Sequence, residues 1–120
     1  MNLELKDDVL RVTYDESSRN FEKDPIYNYM FLKHVESYLN ELLHERDKHT
    51  VMLSEAINNL GFSTDDGVGV YIGSKVGWHD DGSGDTIIDF GLFNEENNDF
   101  IKGKTPVAIL SLNTNMIKMS

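Results

Sequence analysis

Apolar residues in the first half of the chain recur at helical spacing. Phe31, Val35, Tyr38 and Leu42 step by four, three and four, and Leu39 and Leu43 widen the stripe into an amphipathic face. Asp24-Pro25 supplies the start. The Asp carboxylate can accept free first-turn amides, and Pro loses nothing at the first helical position. This pattern predicts a helix over 25–47. A second helix is expected over 50–60, with Thr50 as cap and Val51, Leu53, Ala56, Ile57 and Leu60 as its buried face. Gly61 ends it by taking a left-handed conformation that a Cβ would penalise. A single helix over 25–60 is the alternative, unusually long for a compact domain.

Beyond Gly61 the period shortens to two. Val68, Val70, Ile72, Val76 and Trp78 alternate, broken only at Ser74, and Ile88, Phe90 and Leu92 alternate with Asp89 and Gly91. Residues 107–112 are apolar on both faces, as in a central or doubly covered strand. Asp66-Gly67 and Asp81-Gly82 are turn dipeptides. Near the N-terminus, Leu3 and Leu5, then Leu10, Val12 and Tyr14, flank a polar Lys6-Asp7-Asp8 and read as a short strand or hairpin. The expectation is an α+β fold: an N-terminal strand or hairpin and two helices packed on a C-terminal antiparallel sheet of three or more strands. Its 120 residues suit one domain, with residues 1–22 either inside it or a loosely attached arm.

Charge narrows the function classes. Eleven Lys and Arg against 21 Asp and Glu leave a net charge of −10, which argues against direct binding to a phosphate backbone. The absence of cysteine removes disulfides, thiolate nucleophiles and thiolate zinc sites. No apolar run is long enough to span a bilayer, and MNLELKDDVL lacks the features of a signal peptide, so a bacterial cytoplasmic location is expected. The acids are unevenly spread. Between Lys75 and Lys102 stand Asp80, Asp81, Asp85, Asp89, Glu95, Glu96 and Asp99 with no basic residue among them. This window reads either as a solvated face or as a surface that meets a basic partner protein.

Its densest part is WHDDGSGD, residues 78–85. An EF-hand register with Gly84 sixth puts His79 first and Phe90 twelfth, where carboxylates are required. A looser cation site on Asp80, Asp81 and Asp85, serving a small hydrolase or cation-dependent enzyme with His79 as a base, is a minor alternative; a glycine-rich turn is the plainer reading. HERDKH, 44–49, places its histidines five apart, about 140° around a helix, so they cannot share a zinc. No spacing indicates catalytic residues, a metal site or a cofactor site. Trp78 is either core or an exposed anchor beside the acidic loop.

Four landmarks carry a resemblance: YMFLKHVESYLNELL at 29–43, LSEAINNLGF at 53–62, GSKVGW at 73–78 and IIDFG at 87–91. In them Leu53, Glu55, Leu60, Gly61, Gly77, Trp78, Ile88, Asp89 and Phe90 resemble an uncharacterised family of small phage and prophage proteins, over roughly 27–112. The resemblance implies a viral origin and brings no catalytic residue with it. It casts Gly61 as helix stop, Gly77, Trp78 and Phe90 as packing, and Asp89 as hydrogen-bonded to a turn amide or a Tyr hydroxyl in the half-buried sheet, or as a contact residue. The expected function is non-enzymatic: an acidic phage-type protein that covers a basic host surface, such as that of a defence or nucleic-acid-handling enzyme, and inhibits it by imitating nucleic acid. Asp80, Asp81, Asp85, Glu95, Glu96, Asp99 and Trp78 are the candidate contacts. The alternative is a phage structural or assembly component that self-associates through an apolar patch around Trp78 and Phe93.

Overall fold

The computed structural model describes residues 2–6, 9–63 and 76–117. Strands β1 (Asn2–Lys6), β2 (Val9–Tyr14), β3 (Thr50–Met52), β4 (Val76–His79), β5 (Ala108–Leu112) and β6 (Met116–Ile117) interleave with helices α1 (Pro25–Glu45), α2 (Leu53–Asn59) and the short α3 (Asn98–Ile101). The fold is α+β, and the described strands form two antiparallel sheets, ordered β1-β2-β5 and β3-β4-β6. The N-terminal hairpin is no loosely attached arm: β2 is a central strand, with Val12 opposite Leu110 of β5. Each sheet joins strands distant in sequence, so neither is purely C-terminal. The turn at Asp66-Gly67 and most of the Val68–Trp78 alternation lie outside the described residues.

The start of α1 follows the sequence. Asp24 accepts the Ile26 amide at 2.9 Å, and Pro25 occupies the first turn. The buried face is rotated from the expected stripe. Asn28, Leu32, Val35, Glu36, Leu39 and Leu43 point inward, whereas Tyr38 is exposed. An apolar pattern cannot locate this face, because two of its members are polar and reach through the core edge to hydrogen-bond backbone. α2 begins at Leu53 rather than Thr50, which lies in β3 with its hydroxyl 3.0 Å from His79 Nδ1. Glu55 sets the helix start, accepting the Met52 amide at 2.9 Å while pairing with Arg46. Gly61 ends this helical region at φ +90°, packed against Ser18 and Asn20.

The core gathers Leu10, Val12 and Tyr14 of β2, Ala108, Leu110 and Leu112 of β5, the inner faces of both longer helices, Phe62, Trp78, Ile88, Phe90 and Phe100. Gly77 lies so close to β3 that an added Cβ would stand 2.3 Å from the Val51 carbonyl. β5 is alternately buried and half-buried rather than covered on both faces, and among the described strands it ends its ladder rather than lying at its centre.

The expected strand over Ile88–Leu92 is an extended segment outside both ladders. Its backbone is held largely by side chains. Asn40 of α1 clasps Ile88, accepting its N–H at 2.8 Å and donating to its C=O at 3.0 Å. Asn113 accepts the Asp89 amide and donates to the Ile87 carbonyl, at 2.9 and 2.7 Å. Glu36 accepts the Phe90 amide at 2.9 Å. Asparagine makes the same bidentate clasp elsewhere: Asn28 on Glu22, Asn97 on Ile109 and Asn115 on His79. A primary amide offers one acceptor and two donors, so it can satisfy an extended residue as a neighbouring strand would.

Candidate interaction surface

The acidic window begins at a closed turn. Asp80 is buried, its Oδ2 accepting the amides of Gly82 and Gly84 at 2.9 and 3.1 Å and its Oδ1 that of Thr86 at 3.0 Å. These bonds, Thr86 foremost, favour the ionised form and hold the carboxyl down at about 2. Gly82 and Gly84 take φ values of +96° and +81°, which lets the loop wrap its own aspartate. Asp80 therefore organises the loop and presents nothing to a partner. Asp81 accepts the Ser83 amide at 3.0 Å yet stays exposed, its carboxyl lowered by the Ser83 hydroxyl and amide. Among the described residues no three His, Asp or Glu side chains are grouped to hold a metal ion.

From this loop the chain runs along α1 towards its N-terminus. Ile88 meets Asn40, Phe90 meets Glu36, and the Phe93 ring meets Tyr29 edge-on at a centroid distance of 6.1 Å, with the Lys33 ammonium 5.8 Å from its centre. Phe100, Ile101 and Gly103 then close on Pro25 and Ile26. From Asn40 back to Ile26 is about 21 Å at 1.5 Å per helical residue. That is more than twice the screening length at physiological salt. The structure thus brings Glu95, Glu96 and Asp99 together on the turn into α3 and sets Asp81 and Asp85 at the other end of the run.

The candidates differ in what they have free. Glu96 is engaged inside the fold, paired with Arg11 and accepting the Ser111 hydroxyl at 3.1 Å. Asp89 accepts the Gly91 amide at 2.7 Å, the turn-amide role, while its side chain remains exposed. Asp85, Glu95 and Asp99 are exposed and join no ion pair among the described residues. Trp78 is fully buried and donates its indole N–H to Asn113 at 2.9 Å. It belongs to the core, and with Asp80 it leaves the set of contact candidates.

An apolar concavity emerges where the run ends. Ile26, Tyr29, Phe93, Phe100 and Ile101 line a groove of about 160 Å³. Ile26 and Phe93 are each 68% exposed, and Met30, one turn on from Ile26, is 65% exposed. Of these only Phe93 stands out in the sequence. Ile26 and Met30 carried a weak signal, as large apolar residues off the helix stripe.

Residues 3–119 match the model of a family described as a family of unknown function (DUF6353), and the chain belongs to it. No curated protein and no solved structure matches the chain. The match accords with the expectation of a family that has no assigned activity.

Proposed function

We propose that this member of the DUF6353 family acts by binding, laying its acidic run against a basic surface of another protein. The observation that supports this reading is the course of residues 81–99 along α1. Asp81, Asp85, Asp89, Glu95 and Asp99 are exposed along this run, which follows about 21 Å of the α1 axis, rather than gathered in one cluster. A row of carboxylates on a rigid support is what a groove built for a phosphate backbone can accept, since such grooves track charge along a line. On the resemblance to phage and prophage proteins, the partner is a nucleic-acid-handling or defence enzyme of the host cell, and the binding inhibits it. Rim charges of this kind govern encounter rate and salt dependence more than final affinity.

The test is affinity capture from host lysate with the wild type and with a variant carrying Asp81→Asn, Asp85→Asn, Asp89→Asn, Glu95→Gln and Asp99→Asn. The reading expects a basic nucleic-acid-binding protein on the wild type, released both by added duplex DNA and by raised salt, and absent from the variant. A captured set that the variant shares in full, or that DNA fails to displace, would refute it and leave the run as a solvated face.

A further inference from the structure

The groove at the N-terminal end of α1 lies at one end of the acidic run but differs from it in charge. Lys23 and Asp24 precede Pro25, Lys33 sits over Phe93 and pairs with Glu36 at 2.7 Å, and Glu95, Glu96, Asp99, Lys102 and Lys104 lie along the segment of its other wall. Both signs are thus near balance here, in a chain whose net charge is −10. A strongly basic partner gains little from such a face. Two copies of this chain repel each other through their net charge, and a face of mixed sign adds little to that repulsion.

The charges are also ordered. In NEENNDFIKGK, residues 94–104, the acids come first and the lysines last. A two-fold axis through this segment turns the Glu95–Asp99 end of one copy towards the Lys102–Lys104 end of the other, making the rim self-complementary. The apolar content suits the centre of such an interface. Ile26, Met30 and Phe93 are 65–68% exposed and Ile101 41%. At roughly 200 Å² for a fully exposed side chain of this size, they offer on the order of 450–500 Å². A standard interface removes about 800 Å² per partner, somewhat over half of it apolar.

We infer that the groove formed by Ile26, Tyr29, Phe93 and Ile101 is the contact face of a two-fold homodimer. Phe93 of each copy enters the concavity of the other, and Met30 lies beside it. This face shares Glu95 and Asp99 with the end of the acidic run, but its centre is apolar, so substitutions at Phe93 and Ile101 test it apart from the run.

The test is sedimentation equilibrium on the full chain, with Phe93→Ser and Ile101→Ser variants and circular dichroism to establish that each is folded. The wild type is expected at twice the 13.7 kDa chain mass, a state that survives about 1 M salt because its centre is apolar. Each variant should raise the dissociation constant ~10-fold or more. Since the chain has no cysteine, Met30→Cys gives a second readout that leaves the groove lining intact. A short bifunctional thiol reagent should cross-link it to dimer, but not Asp47→Cys beyond the far end of α1. A wild type that stays monomeric at high concentration overturns the proposal. So does a dimer indifferent to Phe93 and Ile101, or one cross-linked through Asp47→Cys.

Discussion

Asn97 offers the sharpest test of how this fold is held. It is only 1% exposed, and its amide makes three hydrogen bonds: Oδ1 accepts the Ile109 N–H at 2.8 Å, and Nδ2 donates to Ile109 C=O at 2.8 Å and to Gly91 C=O at 3.1 Å. It thereby occupies the outer edge of β5 where a further strand would pair, and ties the turn at 91–97 to the sheet. Asn97→Ala removes all three bonds and leaves the Ile109 N–H and C=O without partners, while the Gly91 carbonyl still accepts the Asn94 amide at 3.1 Å. At about 1 kcal/mol net for each bond, and more where a group stays orphaned in a dry site, the loss is about 3 kcal/mol. For a domain of this size that corresponds to roughly 12 °C in melting temperature. Urea unfolding followed by the fluorescence of the buried Trp78 measures it, with the slope expected to stay constant. Asn97→Asp should cost at least as much at neutral pH, because it keeps the acceptor but turns an oxygen towards two carbonyls. Hydrogen exchange at Ile109 should accelerate in both variants. A loss within about 0.5 kcal/mol, the range of an ordinary surface substitution, would refute the reasoning.

Two further outcomes follow from the same geometry. Gly77→Ala drives a methyl to 2.3 Å from the Val51 carbonyl and should cost roughly 2–3 kcal/mol by forcing β3 from β4; an unchanged urea midpoint would sink the close-packing account. Asp80 ionises in the fold at about 2 against an ordinary 3.8, so its contribution is complete above pH of about 4 and is lost as pH falls towards 2. Asp80→Asn should therefore be less stable than wild type at neutral pH, with the gap between their urea midpoints closing over that window; a gap constant with pH contradicts the turn-closing role.

Much of the chain announced its local structure. The Asp24-Pro25 start, the stop at Gly61, the Val76–Trp78 strand end and the alternation of Leu10, Val12 and Tyr14 were readable because each depends on near neighbours or on a simple period. The net charge and the basic-free window were equally plain, and so was the want of a cysteine. Sequence could not say which carboxylates were free. Asp80 and Asp85 look alike in DDGSGD, but one is turned into its own loop by two left-handed glycines and the other faces solvent.

Tertiary structure decided the rest, and for one recurrent reason. Asn28, Glu36, Asn40, Asn97 and Asn113 read as surface residues in any hydrophobic pattern, yet they anchor backbone at the edge of the core. Asn28 reaches Pro106, 78 residues away, and the others reach partners 54, 48, 12 and 26 residues away, so no local signal encodes these contacts. Once Glu36, Asn40 and Asn113 satisfy the 87–90 backbone, with the Ser111 amide of β5 donating to the Phe90 carbonyl at 2.9 Å, Ile88 and Phe90 can be buried outside a strand ladder, and the segment is free to follow α1. That course buried Trp78 against Asn113, spread the acids into a row, and brought Phe93 to Ile26 and Ile101. The order of amino acids settled which residues were apolar, charged and able to turn. Burial of a polar group requires a partner at hydrogen-bonding distance, and that distance exists only in the folded chain.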